Sequence, residues 1–516
     1  MMNIYDLAMI YSGPITAFTF LFLVLLFVFN LETFFKLFKR ISRKSLLVLL
    51  LIFILAIQLR LNYKSCESNT LWEYVLDSSR IIEGKPTSID HPEGYSLLLS
   101  LLSLFKDLDY NKILYFNVFL SSLTVLPIFL ITYLLVKDKS TSLVSSLIYA
   151  ILPASIITTS WIVPETISLF FVSFSFFLLL VSLKVKRKEL ILLTLLSLVF
   201  SISVRPENVM FIPVFLISYL LFLDDLNKLK LPLIVFSVFM LQFLHIFLGG
   251  RELYGYDSMD PHSKILFSKY YQSLRFPPTF SLKYLPMNMK VSIDALRNSI
   301  FYPSFMFPLA FFSSLLVIKK RELIIIFLWI VTFLLFFGSW IMFFINNAYL
   351  YQVLLHVPLS ILAAIGIHNV IKTFHRNLKV NICYFIYLSC LLLILLSSNF
   401  SYAKREEHEC LSRDILKVSQ LLDKNSCILI DEFYLAPEWS FSTHVKFLLK
   451  DRIVLSEMKK CPYGRYYYLK PDQEIVKKFS MRNDGQSNAT LKYITKNCRL
   501  SIVNKTTLIT VFEVVC

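Results

Sequence analysis

Acidic and basic side chains gather in a short stretch, residues 62–112, between two long apolar runs. A carboxylate held near a hydroxyl can take its proton as a general base, and a cation can hold an anionic group. Two interpretations of this stretch are open: the rim of an active site at a membrane surface, or a solvated loop that only ends a helix. The side chains concerned are Glu67, Glu73, Asp77, Lys85, Asp90, His91 and Glu93.

Further charged residues lie near the ends of later apolar runs. Glu165 follows Trp161 and Pro164 in "WIVPET", and Arg205 and Glu207 lie in "VRPEN". An arginine at such a turn is suited to bidentate binding of a phosphate. The alternatives are structural, because an acid is favourable in the first turn of a helix and because Arg205 could pair locally with Glu207.

Composition places the chain among polytopic membrane proteins. Of its 516 residues, 56% are hydrophobic, and the mean hydropathy is +0.64. The formal charge of +17 lies in short clusters between apolar runs, as membrane orientation signals do, and no basic patch of the kind that binds nucleic acid is present. The eight cysteines form no CxxC or Cys/His pattern, which argues against a thiolate-bound metal.

Uninterrupted apolar stretches predict about twelve membrane spans. Few polar groups fall inside them; His245 and His356 are two, and a lone histidine on an apolar face is more often a packing residue than a ligand. A transporter would place charged groups in mid-membrane, so the distribution favours a site at the outer lipid–water boundary. The predicted spans are 14–30, 45–61, 113–136, 141–160, 166–183, 189–204, 208–223, 231–248, 303–318, 323–343, 353–371 and 380–398.

Basic clusters orient these spans. The first run has no basic segment before it and is followed by the cluster at 36–44, which predicts an N-out signal anchor. Counting from there, the later basic clusters all fall on the cytoplasmic side, so the long connections 62–112, 249–302 and 399–516 lie outside. N-glycosylation sequons and cysteines, which can form disulfides there, support an outer tail. The sequons are at Asn399, Asn488 and Asn504, and the outer cysteines are Cys66, Cys410, Cys427, Cys461, Cys498 and Cys516.

Three segments follow from this organisation. Residues 1–44 hold the signal anchor and a basic cytoplasmic loop, residues 45–398 the remaining spans, and residues 399–516 a small extracytoplasmic α/β domain. In this last segment "REEHECLSRDILKVSQLL" has helical spacing, and "CILIDE", "RIVLSE", "RYYYLK" and "LSIVNKTTLITVFEVV" predict strands. In the first outer stretch, an interfacial amphipathic helix ends near Gly84, and a short half-inserted helix begins at Pro92.

The first outer stretch resembles a pattern of the GT-C glycosyltransferases that use polyprenyl-phosphate sugars, such as the protein O-mannosyltransferases and the aminoarabinose transferases. The likeness lies in an acid before an aromatic helix that ends "RIIEG", followed by "HPEGYSLLLSLL". "NVFLSSLTVLPIFLITYLLV", "SLIYAILPASIITTSWIVPETISLFF" and "SISVRPENVMFIPVFL" are similar to the family's consecutive helices, so the likeness covers about 45–250. The chain departs from the pattern at Thr70 and Leu71, where the family has an acid, and at Glu93, where it has a second proline.

The resemblance implies a membrane glycosyltransferase that moves a hexose such as mannose from a polyprenyl or dolichyl phosphate to a protein, lipid or glycan acceptor, with inversion. An outer carboxylate would take the proton of the acceptor hydroxyl, and cations would hold the phosphate. Glu67 is the first candidate for the base and Glu73 the reserve, while Glu165 resembles the family's second acid, which positions the acceptor or a metal. The need for a divalent cation stays open. The candidate substrate-binding residues are Lys85, Asp90, His91, Arg205, Glu207 and Arg275, the last in an outer loop that could close over substrate.

Two other functions are open. A lipid-linked saccharide flippase would line a mid-membrane cavity with polar residues and would show internal repeats, and the sequence has neither feature. A membrane-anchored binding protein without catalysis would leave recognition to the tail. The "WWDYG" element of oligosaccharyltransferases is absent, which argues against transfer of whole N-glycans.

Overall fold

The computed structural model is a bundle of helices followed by a small mixed sheet. The α-helices are α1 (Ile4–Phe29), α2 (Leu31–Phe38), α3 (Arg43–Asn62), α4 (Leu71–Ile82), α5 (Gly94–Ser103), α6 (Tyr110–Leu123), α7 (Val125–Val136), α8 (Lys139–Ile151), α9 (Pro153–Ser160), α10 (Pro164–Val185), α11 (Lys188–Val204), α12 (Ile212–Phe222), α13 (Asn227–Met240), α14 (Leu285–Arg297), α15 (Met306–Val317), α16 (Ile324–Ser339) and α17 (His356–His375). The residues described are 4–63, 71–85, 93–104, 108, 110–243, 282, 285–298, 301–303, 306–317, 323–339, 351–375, 418, 422–423, 426–430, 453–455, 466–471, 498–505 and 509–515.

Among these residues, five helical segments are long and apolar enough to cross a membrane. The pair α8–α9 adds a sixth if it is counted as one span bent by 47°. Other apolar helices are shorter, such as α16 and the segment Pro206–Phe222, and the predicted span 380–398 lies outside the described residues. The predicted total of about twelve spans therefore stays a prediction. The five segments are Tyr11–Phe29, Arg43–Asn62, Tyr110–Val136, Pro164–Val185 and Val353–Lys372.

A proline divides the apolar run that the sequence predicts as one span over 141–160. Pro153 has no backbone N–H, so the carbonyl of Tyr149 loses its helical donor, and Leu152 adopts an extended conformation with ψ 117°. The N–H of Ala154 then donates to the carbonyl of Phe301 at 3.0 Å instead of continuing α8. The run becomes two helices, and the carbonyls at the end of α8 are available to side chains.

One end of the bundle collects the basic connections. The C-terminal ends of α7 and α10 both stop at a lysine in the left-handed region, with φ 59° at Lys137 and 58° at Lys186. Contacts between side chains and backbone then join α7, α8, α10, α17 and the turn after α12 at this end. These contacts are Lys184 Nζ with the Leu134 carbonyl (2.6 Å), Lys186 with Asp224, and His368 Nδ1 with Asp138 Oδ2 (3.7 Å).

The core lies around α10, which packs against α11, α7 and α6. Phe176 of α10 stacks on Trp329 of α16 with ring centroids 3.9 Å apart, and the Trp329 indole N–H donates to the carbonyl of Leu354 at 3.0 Å. Helices α1 and α3 instead leave apolar side chains exposed; Phe18 and Leu51 are more than half exposed. A helix that is apolar on its exposed face is typical of a surface covered by lipid.

The first outer stretch forms both helices that the sequence predicts. α4 ends at Ile82 and is followed by Gly84 at φ 67°, while α5 begins at Gly94. α4 packs against α5 with Tyr74 and Val75 buried, so this face of the helix contacts protein. Helix α14 lies inside the predicted outer connection 249–302, where the sequence analysis predicts no helix.

The C-terminal segment contains the strands that the sequence predicts. They are β1 (Cys427–Ile430), β2 (Ile453–Leu455), β3 (Tyr466–Pro471), β4 (Arg499–Lys505) and β5 (Ile509–Val515), in the order β2-β1-β3-β5-β4. β1 pairs in parallel with β2 and β3, and β5 pairs antiparallel with β3 and β4. Most of the predicted helix from residue 405 lies outside the described residues. Cys427 and Cys498 are both disulfide-bonded.

Candidate active site

A buried cluster of three charged side chains lies at the end of the bundle away from the basic connections. The Arg205 Nη2 atom is 2.9 Å from Glu165 Oε1 and 3.0 Å from Glu207 Oε1. The three side chains are 15%, 9% and 9% exposed. One guanidinium nitrogen therefore holds two carboxylates together out of bulk solvent.

Helix ends bring these three residues together. Pro164 begins α10, which places Glu165 in the first helical turn, and Ile162 just before it has φ 52°. α11 ends at Val204, because Arg205 precedes Pro206 and is extended, and the 3-10 helix Pro206–Phe211 follows. Since α10 and α11 are antiparallel neighbours, the start of one meets the end of the other.

The sequence offers two purely structural explanations for these residues: an acid in the first turn of a helix, and a local pair between Arg205 and Glu207. The structure contains both of these features and one further contact. Glu165 does lie in a first turn, and Arg205 does pair with Glu207, as the alternatives expect. The contact from Arg205 to Glu165, forty residues apart in the sequence, is additional. Local sequence could not predict this contact, because it depends on how α10 and α11 pack.

The cluster carries a net charge of −1 when all three groups are ionised. Burial lowers the pKa of Arg205, but the carboxylates of Glu165 and Glu207 raise that pKa by more, so it lies well above its ordinary value. Arg205 is therefore a permanent cation between two acids. It already fills the space between the carboxylates, and so this pair does not fit a divalent cation bound between them.

A small pocket opens beside the cluster. The Asn208 side chain is fixed, because its Nδ2 donates to Ser168 Oγ and to the Ser201 carbonyl, both at 2.7 Å. Glu207 Oε2 and Asn208 Oδ1 are buried and accept no hydrogen bond from the residues that the structure describes. The pocket is lined by Glu165, Ser168, Arg205, Glu207, Asn208, Tyr351 and Leu354.

Aromatic side chains from three elements surround the cluster. The Arg205 guanidinium carbon is 6.0 Å from the centroid of the Tyr351 ring. Tyr95 of α5 is fully buried, its hydroxyl accepts from Asn117 Nδ2 at 2.9 Å, and its ring meets Tyr74 of α4 edge to face at 5.1 Å. The first outer stretch thus places Tyr95 within electrostatic range of Glu165.

Arg60 forms a second buried polar cluster that the sequence analysis does not identify. It is fully buried near the end of α3 and donates four hydrogen bonds. Its guanidinium carbon also lies 5.2 Å from the centroid of the Tyr149 ring. The only signal in the sequence is a single arginine close to the end of an apolar run. The acceptors are Ser121 Oγ (3.2 Å), the Ala56 carbonyl (3.1 Å), the Ala150 carbonyl (3.2 Å) and Ser155 Oγ (2.9 Å).

The other predicted site residues are placed only in part. Lys85 is 67% exposed and pairs with Glu83 at 2.6 Å. Glu73 lies on α4, but its side chain is not among those that the structure describes. Glu93, where the chain departs from the GT-C pattern, is buried at the start of α5 and accepts a hydrogen bond from Ser12 Oγ at 2.6 Å. Glu67, Asp90, His91 and Arg275 lie outside the described residues.

Metal ligands do not cluster in the described part of the chain. No group of three or more His, Cys, Asp or Glu side chains there could hold a metal ion. His356, one of the two histidines inside predicted spans, is fully buried, and its Nε2 lies 3.2 Å from the Tyr302 hydroxyl. It therefore packs within a helix interface, as the structural interpretation of a lone histidine expects.

Comparison with known proteins shows the fold. No family model and no curated protein matches the sequence. ArnT from Cupriavidus metallidurans bound to undecaprenyl phosphate is similar with a TM-score of 0.56 and 8% identity, over 91% of this chain and 97% of that one. Its apo state gives 0.55 at the same identity and coverage. The apo oligosaccharyltransferase from Archaeoglobus fulgidus gives 0.53 and 10% identity, over 83% of this chain and 69% of that one.

The chain has the fold of these solved structures, which is the GT-C-like fold that the sequence resemblance implies. The predicted fold class, a helical membrane protein with a small C-terminal sheet, is confirmed. The identities of 8% and 10% carry no information about individual residues.

Proposed function

We propose that the protein is a membrane glycosyltransferase that moves a sugar from a polyprenyl phosphate to an acceptor on the outer face of the membrane. The observation that carries the proposal is the buried Glu165–Arg205–Glu207 cluster in a chain of GT-C fold. The cluster lies away from the basic connections, which the positive-inside rule places in the cytoplasm. A related fold bound to undecaprenyl phosphate supports a lipid-phosphate donor.

The reaction needs one proton acceptor and a phosphate leaving group. The acceptor oxygen attacks the anomeric carbon, the bond from that carbon to the phosphate oxygen breaks, and the configuration inverts. The acceptor proton passes to a carboxylate, and polyprenyl phosphate leaves with the bonding electrons. Glu67 remains the first candidate for this base, with Glu73 as reserve, and Glu165 positions the acceptor from the first turn of α10.

Phosphate binding is assigned to cations outside the buried cluster. Arg205 already donates to two carboxylates and so offers less to a phosphate than a free arginine would. We therefore propose that Lys85, His91 and Arg275 provide phosphate contacts, with Asp90 beside them. Arg205 and Glu207 then contact substrate from the buried side, and the donor is a polyprenyl phosphate hexose, with dolichyl phosphate mannose as the first candidate.

We further propose that the protein is a multi-pass cell-membrane protein with its N-terminus and its C-terminal α/β domain outside. The disulfide bonds at Cys427 and Cys498 support an oxidising location for that domain. The acceptor, whether protein, lipid or glycan, is recognised on the same outer side.

Transfer of a labelled sugar tests the proposal. Membranes that contain the full chain are incubated with labelled polyprenyl-phosphate hexose, and the label is followed into protein, lipid and glycan fractions. We expect transfer by the wild type and a loss of about 100-fold or more in Glu165→Gln and in Glu67→Gln. The matched control is Glu189→Gln, for which we expect unchanged transfer. Glu189 is exposed in the first turn of α11, at the opposite end of that helix from Arg205.

Two results would contradict the proposal. Transfer that survives in Glu67→Gln, Glu73→Gln and Glu165→Gln would refute the site. Translocation of the lipid across the membrane without transfer of its sugar to any fraction would favour a flippase.

A further inference from the structure

Strand β4 of the C-terminal sheet contains one of the three predicted glycosylation sequons. Asn504 lies near the end of this strand, and Lys505 and Thr506 complete its N-x-T motif. The other two sequons, at Asn399 and Asn488, lie outside the described residues. Asn504 is therefore the sequon asparagine whose surroundings the structure gives.

The side-chain amide of Asn504 has a nitrogen that is available for modification. Its oxygen accepts from the backbone N–H of Lys505 at 2.7 Å, which fixes the amide and leaves Nδ2 at the other end. Asn504 is partly exposed, and its Nδ2 atom is not fully buried and donates to no residue that the structure describes. By contrast, Asn117, Asn208 and Asn288 each use Nδ2 in buried hydrogen bonds. An N-linked glycan is attached through this nitrogen, so Asn504 meets the first requirement for one.

β4 is an edge strand, so a large group can be attached there without displacing a neighbouring strand. In the order β2-β1-β3-β5-β4, it pairs with β5 alone among the described strands. A bulge lies between Ile502 and Asn504 and leaves Val503 without a cross-strand partner. Ile502 is 66% exposed and Val503 is 46% exposed. An edge strand with exposed apolar side chains can pair with a second chain unless something blocks it.

We propose that Asn504 carries an N-linked glycan and that this glycan covers the edge of β4. A glycan is bulky and hydrophilic, so beside Ile502 and Val503 it would keep a second strand from approaching. The inference does not depend on catalysis by this chain. It rests on the proposed outer location of the C-terminal segment, which the disulfide-bonded Cys427 and Cys498 support.

The modification is a group transfer from a lipid-linked saccharide, catalysed by an N-glycosylating enzyme of the same membrane. The Nδ2 atom of Asn504 attacks the anomeric carbon of the saccharide, and the bond from that carbon to the lipid phosphate oxygen breaks. One proton leaves Nδ2 for a base, and the lipid phosphate departs with the bonding electrons. Thr506 supplies the hydroxyl that the motif requires, and a serine supplies the same group.

Peptide mapping of the full chain tests the modification. The chain is expressed in cells that N-glycosylate their secreted proteins, and the glycosylated fraction of the Asn504 peptide is measured before and after an amidase releases N-linked glycans. We expect this peptide to be glycosylated in the wild type and in Thr506→Ser, and to lose the glycan completely in Thr506→Ala. Thr506→Ala keeps Asn504 and its contact with Lys505, so the loss reports on the sequon itself.

Cross-linking of the purified full chain tests the covering role. We expect Thr506→Ala to shift from monomer towards dimer, because the edge of β4 is then open. Adding Ile502→Lys to Thr506→Ala should restore the monomer, since a charge on an edge strand opposes pairing and Ile502 is exposed enough to be replaced. Glycosylation of the wild type with no such shift in Thr506→Ala would overturn the covering role.

Two further results separate failure of the inference from failure of the proposed orientation. An unmodified Asn504 peptide, in a chain whose C-terminal segment is cleaved by protease added to intact cells, overturns the inference alone. A segment that is cleaved only after the membrane is permeabilised refutes the outer location, and the inference with it. Sugar transfer by the chain is measured separately with labelled polyprenyl-phosphate hexose.

Discussion

At the scale of single residues, Arg205 pairs with two carboxylates. Its sequence context leaves phosphate recognition and a local pair with Glu207 open, and its Nη2 atom donates to Glu207 and also to Glu165. Without Arg205, two carboxylates within hydrogen-bonding reach of one nitrogen would face each other with little solvent. The guanidinium therefore holds the two acids in place, and they in turn shape the pocket.

Replacement of Arg205 tests this task. We expect Arg205→Gln to lower the free energy of unfolding by about 3–5 kcal/mol, because breaking a buried pair leaves charges uncompensated. The double variant Arg205→Gln with Glu207→Gln should recover part of the loss, since it removes one of the repelling charges. Titration with a denaturing detergent measures both. A single variant as stable as the wild type would contradict the proposed task.

Sequence alone could identify the members of this cluster but not their arrangement. Glu165, Arg205 and Glu207 stand out because each follows a proline or precedes one at the end of an apolar run. The Arg205–Glu165 contact spans two helices, and only their packing decides it. Arg60 was missed for a related reason: its four acceptors come from α3, α6, α8 and α9, which no local pattern relates.

At the scale of elements, the break between α8 and α9 is tied to Arg60. Pro153 removes one helical donor, and Ala154 donates elsewhere, so the carbonyl of Ala150 needs another partner. Arg60 Nη1 donates to that carbonyl, and Arg60 Nη2 donates to Ser155, whose hydroxyl in turn donates to the Tyr149 carbonyl at 2.8 Å. Satisfying these groups internally matters in a bilayer, which offers no water as a substitute.

We expect Arg60→Met to destabilise the protein by about 2 kcal/mol or more, because the Ala150 carbonyl and the hydroxyls near it lose their donor in an apolar interior. Arg60→Lys should not restore stability, since one ammonium cannot reach the acceptors on both sides as the guanidinium fork does. The exposed Arg43 at the other end of α3 provides the control variant Arg43→Met. Equal detergent-unfolding curves for Arg60→Met and Arg43→Met would contradict this account.

α5 packs so closely on α11 that only glycine fits at position 94, which gives a second prediction at this scale. A Cβ atom at Gly94 would lie 2.5 Å from Ser203 Oγ and 2.6 Å from the Ser203 backbone, whereas one at Gly84 would meet nothing within 4 Å. We expect Gly94→Ala to cost about 1–3 kcal/mol through overpacking and to reduce transfer, because α5 carries Tyr95 next to the site. Gly84→Ala should cost about 1 kcal/mol through its φ of 67° alone and leave transfer unchanged. Melting and transfer assays on both variants decide between these outcomes.

The elements themselves were largely predictable. Periodicity indicated α4, the turn at Gly84, the helix after Pro92 and the strands of the tail, because each has strong local propensity and clear stops. The sequence does not predict the bend at Pro153, because a proline within an apolar run is also compatible with one kinked span. The sequence does not predict helix α14 either, because this segment combines charged and apolar residues inside a stretch whose pattern indicates a loop.

At the scale of the whole molecule, charge along the chain and position in the fold agree. The basic ends of α7 and α10 and the turn after α12 contact one another at one end, and the carboxylate cluster lies where α10 begins and α11 ends. The positive-inside rule orients such a bundle with the basic end in the cytoplasm. In the proposed orientation the acids face outward, where a lipid-linked sugar and an extracytoplasmic acceptor would meet.

Chemical labelling of intact cells tests this orientation. We expect Lys85→Cys to react with a membrane-impermeant maleimide in intact cells, because Lys85 is exposed after α4, on the side that the proposed orientation places outside. Lys228→Cys, in the first turn of α13 at the basic end of the bundle, should react only after the membrane is permeabilised. The unsubstituted chain gives the background from its eight native cysteines. If the two positions exchange their behaviour, the carboxylate cluster faces the cytoplasm, and a donor presented on the outer leaflet could not reach it.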